Sequence, residues 1–123
     1  MRFAGAGVFV MAALSLALSA CGPTPPQAPL DEAKKLDESL SGISAACGEA
    51  YQVTAFPGNH RQDLTTLEAT ASSDARKLAS VYSRNREWIY QSETVRGLVQ
   101  DSWSTLSNCG LTDAARVLVR ATR

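Results

Sequence analysis

A basic surplus is missing from this chain: 12 lysines and arginines face 12 aspartates and glutamates over 123 residues. Binding to a polyanion rests on neutralising phosphates with excess positive charge, so no nucleic-acid partner is expected. Histidine occurs once, at His60, and the three cysteines, Cys21, Cys47 and Cys109, form no C-x-x-C pair. No metal centre or redox motif is therefore expected, and no cofactor. The 8 glycines build neither a phosphate-cradling loop nor a nucleophile elbow, and no internal repeat occurs. Strand-like alternation of apolar and polar residues is absent as well. Outside the first twenty residues, 13 of the 40 apolar side chains are alanine, which leaves little volume for a catalytic cleft. These absences together point away from an enzyme.

What the chain does have begins with one hydrophobic run. Residues 1–20 hold 15 apolar side chains and a single charge, Arg2, and end in small residues. That is the layout of a secretory signal rather than of a domain helix. An uncleaved signal anchor is the alternative, because 18 mostly apolar residues at about 1.5 Å each could just span a bilayer core. The last residues of the run, Leu18-Ser19-Ala20-Cys21, resemble the lipobox of bacterial lipoproteins. The resemblance implies cleavage before Cys21 and acylation of that cysteine, placing the protein in a cell membrane or outer membrane with its domain outside the cytoplasm. Four prolines then fall within residues 22–29, which excludes a helix and favours an extended tether about 25 Å long. The organisation expected is a signal peptide at 1–20, a lipidated cysteine and tether at 21–29, and a helical domain at 30–123.

With Cys21 assigned to lipid, Cys47 and Cys109 remain in a compartment where thiols usually pair, and a disulfide between them is expected. It would close a loop of roughly 63 residues and contribute on the order of 4 kcal/mol.

From Leu30 onward the apolar spacing is three and four, so the fold class expected is all-α. One helix should run from about residue 31 to 54, with Leu36, Leu40, Ile43, Cys47, Ala50 and Thr54 on its stripe, and stop at Phe56-Pro57-Gly58. Asn59 and Gln62 resemble a capping box for a second helix reaching about Tyr90, with Ile89 at the centre of its stripe. Ser92 is the expected cap of a third helix facing inward through Val95, Leu98, Val99, Ser102, Leu106 and Cys109, and Thr112 that of a short fourth. Short connections make this an antiparallel three-helix bundle with the fourth helix across one end. Straight helices of those lengths leave Cys47 and Cys109 about 12 Å apart in level, so a kink, or a full break, is expected near Ser72-Ser73.

Candidate chemistry is sparse. His60 with Asp63 reads as a solvated turn pair, and the acidic bias of the first helix as an ordinary solvated face with Asp31–Lys35 and Lys34–Glu38 pairs. More informative is the interleaving of arginine and aromatic residues in 84–90. Arg84, Trp88 and Tyr90, extended by Trp103, form a candidate partner-binding surface, since these residue types are enriched at interface hot spots. The rival reading is aromatic rings closing the edge of the core beneath arginine stems. The function expected is that of a membrane-anchored envelope lipoprotein acting as a non-enzymatic binding module for an envelope protein. The alternative is a small-molecule or lipid carrier with its ligand between the helices.

Overall fold

A computed structural model describes residues 26–55 and 61–123. The lipobox with Cys21, the Phe56-Pro57-Gly58 stop, Asn59 and His60 lie outside the described residues. The chain folds into four helices, α1 (Leu30–Ala55), α2 (Arg61–Arg84), α3 (Val95–Asn108) and α4 (Thr112–Ala121). Between α2 and α3 sits a two-stranded hairpin, β1 (Ile89–Tyr90) and β2 (Glu93–Thr94).

The stripe expected for the first helix becomes its packed face. Leu36, Ile43, Cys47 and Ala50 are buried, Leu40 is half-buried, and Thr54 is exposed, its hydroxyl donating to the Ala50 carbonyl at 2.9 Å. On α2 the buried residues are Leu67, Ala71, Ala75, Leu78 and Val81. Alanines at the α1–α2 seam let the two backbones approach, and two contacts set its register. Glu32 meets Arg84, and Gly42 lies under Asp74. Ten residues forward on α1 thus correspond to ten residues back on α2, which makes the pair antiparallel. The core is completed from α3 and α4 by Val95, Val99, Leu106, Leu111, Ala114 and Leu118. Each large apolar side chain so removed from water contributes roughly 1.5–3 kcal/mol before its ordering cost.

Three expectations about the middle of the chain need correction. First, α2 stops at Arg84, not near Tyr90. Asn85 turns the chain by accepting the Glu87 amide on its side-chain oxygen at 2.9 Å, an Asx turn that competes with continuing the helix. Second, Ile89 belongs to a strand and is only half-buried. The hairpin ladder pairs Ile89 with Thr94 and Tyr90 with Glu93, and Gln91 and Ser92 between them both have positive φ, 50° and 70°. Two left-handed residues in a two-residue loop are what a tight hairpin requires. Third, Thr94 rather than Ser92 caps α3, its hydroxyl accepting the Gly97 amide at 3.0 Å.

The shorter α2 also removes the need for a bend. In the observed register Cys47 stands level with about residue 69, from which α2 descends about 22 Å to Arg84. From Val95 the chain climbs about 21 Å to Cys109, so the two paths match. Cys47 and Cys109 form the expected disulfide, with Cα atoms 5.5 Å apart. α2 is one unbroken helix through Ser72 and Ser73.

α4 does not lie across one end. Its first amides, those of Asp113 and Ala114, donate to the Glu68 carboxylate at 3.1 and 3.5 Å near the start of α2. Its last turn reaches Ala121 beside Tyr82–Glu87 at the end of α2. It therefore runs alongside α2 in the same direction and antiparallel to α3, with Val99 facing Leu118 and Val119. Thr112 is not its cap either: the N-cap is Leu111, which makes no side-chain cap bond, and the carboxylate of Glu68 takes over that task. A negative charge there also suits the positive end of the helix dipole.

Candidate interaction surface at the hairpin end

The start of α1, the end of α2, the hairpin and the end of α4 meet at one end of the molecule. The N-terminal segment joins them. The Ile89 amide donates to the Pro26 carbonyl and the Ala28 amide to the Ile89 carbonyl, both at 2.9 Å, so Gln27 pairs with Ile89 as a parallel bridge. The last residues of the proline-rich segment are thus tied to the edge of the hairpin by a single parallel bridge. Pro25 and Pro26 cannot donate to a ladder, and in this arrangement Pro26 is asked only to accept.

Arg84 is held by Glu32. Its Nε donates to Oε1 at 2.6 Å and its Nη2 to Oε2 at 2.9 Å, a two-bonded fork. Glu32 is buried, and Lys35 adds a second positive group at 3.8 Å. The Arg84 bonds hold the Glu32 carboxyl below its ordinary pKa against the opposing effect of burial. The pairs expected on this face, Asp31–Lys35 and Lys34–Glu38, give way to this arrangement, in which Lys35 turns to Glu32. The Glu32 role was missed because the residue was read as part of a solvated acidic face. Its position four residues before Leu36 on the apolar stripe is the signal that marks it as inward-facing.

Tyr90 is half-buried, and its hydroxyl donates to Asp37 Oδ1 at 3.2 Å while accepting from Gln91 Nε2 at 3.3 Å. Burial, and then the charge and bond of Asp37, push the phenol above its usual pKa. Trp88 is half-buried against the core, and its carbonyl accepts the Val95 amide at 2.9 Å. Arg96 pairs with Glu87 across the hairpin base. Arg84, Trp88 and Tyr90 are thus brought to one end of the fold, but not as the helical wheel would have them.

Trp103 stands apart from them. It is 45% exposed on α3 and lines an apolar cleft of about 270 Å³ with Val99, Gln100, Leu118, Val119 and Thr122. Toward the start of α3, the neighbouring Asp101 carboxyl, through its bonding and its charge, and burial raise the Glu93 carboxyl pKa. Gly97 between them leaves room for the Glu93 side chain, since a β-carbon there would sit 2.9 Å from Oε2. Among the described residues no three metal-ligating side chains gather, and no helix is long and apolar enough to cross a membrane.

This end has aromatic rings set in the rim of the core, arginines with buried or exposed acidic partners, and exposed arginines that no carboxylate pairs with among the described residues. No protein-family model matches the chain, and neither the curated proteins nor the solved structures returned a match.

Proposed function

We propose that the chain is a membrane-anchored envelope lipoprotein whose helical domain acts as a non-enzymatic binding module for an envelope protein. The observation that carries this reading is the tetrapeptide Leu18-Ser19-Ala20-Cys21 at the end of an uncharged run, followed at once by a proline-rich segment. Acyl chains contribute about 0.8 kcal/mol per buried methylene, so a multiply acylated cysteine anchors a domain without a spanning helix. The Cys47–Cys109 disulfide agrees with an oxidising compartment.

In finer detail, α1, α2 and α3 are read as an antiparallel three-helix bundle, with the short α4 laid into the groove between α2 and α3. A buried core whose largest side chains are fully covered supports a binding module over a carrier with a ligand among its helices. Of the candidate binding residues, Arg84 and Tyr90 have internal partners in Glu32 and Asp37, so the exposed Trp103 is the first to test.

Two measurements test the proposal. The intact mass of the protein recovered from membranes should show loss of residues 1–20, added acyl mass and two hydrogens missing for the disulfide. In-cell crosslinking should recover a specific protein with the native chain and lose it with Cys21→Ala and with Trp103→Ala. An unprocessed mass would return the signal-anchor reading, and recovery of lipid or a small ligand alone would favour the carrier.

A further inference from the structure

We infer that the hairpin end is the face this domain turns toward an anionic lipid surface. The inference rests on the anchored reading above and adds to it which end of the molecule meets the bilayer. Only residues 22–25 separate Cys21 from Pro26, whose carbonyl is already bonded to Ile89. Five residue steps span at most about 18 Å, so the hairpin cannot stand further than that from an acylated Cys21. A free tether reaching to residue 29 would have allowed about 25 Å and any orientation. Docking of residues 26–28 on β1 shortens it and fixes where it leaves the domain.

The surface at that exit suits headgroups. Leu30, the first residue of α1, is 85% exposed, the most exposed of the large apolar side chains described. Arg86 on the hairpin approach and Arg120 and Arg123 at the end of α4 are exposed, and no carboxylate pairs with any of them among the described residues. Of the acids close by, Glu32 and Glu87 are matched by Arg84 and Arg96 and Asp37 accepts from Tyr90, while Asp31 beside Leu30 and Glu93 in the hairpin also lie at this end and offset part of the positive charge. Each basic side chain close to an anionic leaflet adds about 1 kcal/mol of attraction. The opposite end of the bundle, where α3 finishes and α4 starts, carries Asp113 paired with Arg116 instead.

The test uses the full chain, exported, processed and reconstituted into vesicles of phosphatidylcholine and phosphatidylglycerol that carry a nitroxide on the headgroup. A fluorophore is placed at Ser83→Cys, beside the hairpin, or at Ser107→Cys, about 18 Å further along the axis of α3. Both positions are exposed. We expect short-range quenching at position 83 to exceed that at 107 at least threefold. Arg86→Glu with Arg120→Glu should halve the quenching at 83 while leaving flotation with vesicles and thermal unfolding unchanged. Equal quenching at both positions, or no response to charge reversal, in a protein that is acylated and floats overturns the orientation and leaves the anchor intact. A protein without acyl mass that fails to float overturns the anchor, and the orientation with it.

Discussion

Asp74 lies over Gly42 so closely that a β-carbon on Gly42 would come within 2.6 Å of Asp74 Cγ. The contact places a carboxyl whose side chain is only 13% exposed between two helices. Gly42→Ala should therefore be worth less than its helix propensity suggests. Alanine gains about 1 kcal/mol in a helix interior, while displacing a packed neighbour costs about 1–3 kcal/mol. We expect a net loss of about 1 kcal/mol in the native background and a net gain in an Asp74→Ala background. Thermal unfolding of the four proteins of this double-mutant cycle reads the change of sign, and additive effects would refute the contact.

Asp74 and Glu32 should impose opposite pH dependences. Burial raises the Asp74 pKa in the folded state, opposed by Lys77. Its contribution is thus present below its unfolded value and lost as pH rises through the folded one, so Asp74→Asn should raise the unfolding temperature at pH 7 and not at pH 3.

Glu32 has a lowered folded pKa, so its contribution is present above about 4.5 and lost as pH falls through the folded value. Arg84→Ala leaves a buried carboxylate with only Lys35 nearby and should cost about 2 kcal/mol at pH 7. At an acid pH below the folded value the cost should shrink, because the carboxyl is then protonated in the native protein as well. Urea unfolding at the two pH values measures the difference, and an equal cost at both would sink the assignment.

Loss of the cap made by Glu68 should act locally. Glu68→Gln weakens, and Glu68→Ala removes, the acceptor for the Asp113 and Ala114 amides, at about 1 kcal/mol for the alanine variant. Hydrogen exchange at those two amides should accelerate, with α1 and α2 amides unchanged.

The hairpin turn can be improved. Gln91 and Ser92 hold positive φ without being glycine or asparagine. Replacing them with Asn-Gly, which adopts that conformation readily, should stabilise the domain by roughly 0.5–1 kcal/mol in thermal unfolding.

That same turn explains where sequence reading stopped. The stripes of α1 and α3, and the Cys47–Cys109 pair, were legible because helical periodicity and cysteine count are local or nearly exclusive signals. The hairpin was not, because Gln-Ser carries none of the usual turn chemistry, and Ile89 continued the α2 stripe in phase. Tertiary bonds from Pro26, Ala28 and Val95 decide that segment, and their partners lie remote in sequence or past the turn. The Glu32–Arg84 and Glu68–Asp113 contacts span 52 and 45 positions, beyond any spacing rule. Arg84, Trp88 and Tyr90 were legible as a group, but their roles follow from Glu32, Asp37 and the hairpin ladder, which only the fold reveals.

The pairing of residues 26–28 with Ile89 has a mechanical meaning. Tension applied along the N-terminal segment reaches both Ile89 hydrogen bonds at once, in shear, before it reaches α1. From Ile89 the load passes into the stretch of chain closed by the Cys47–Cys109 bond, which holds α2, the hairpin and α3. A pull on the N-terminal segment is thus delivered to the covalently closed part of the domain, and the first turn of α1 is shielded from being peeled off its neighbours.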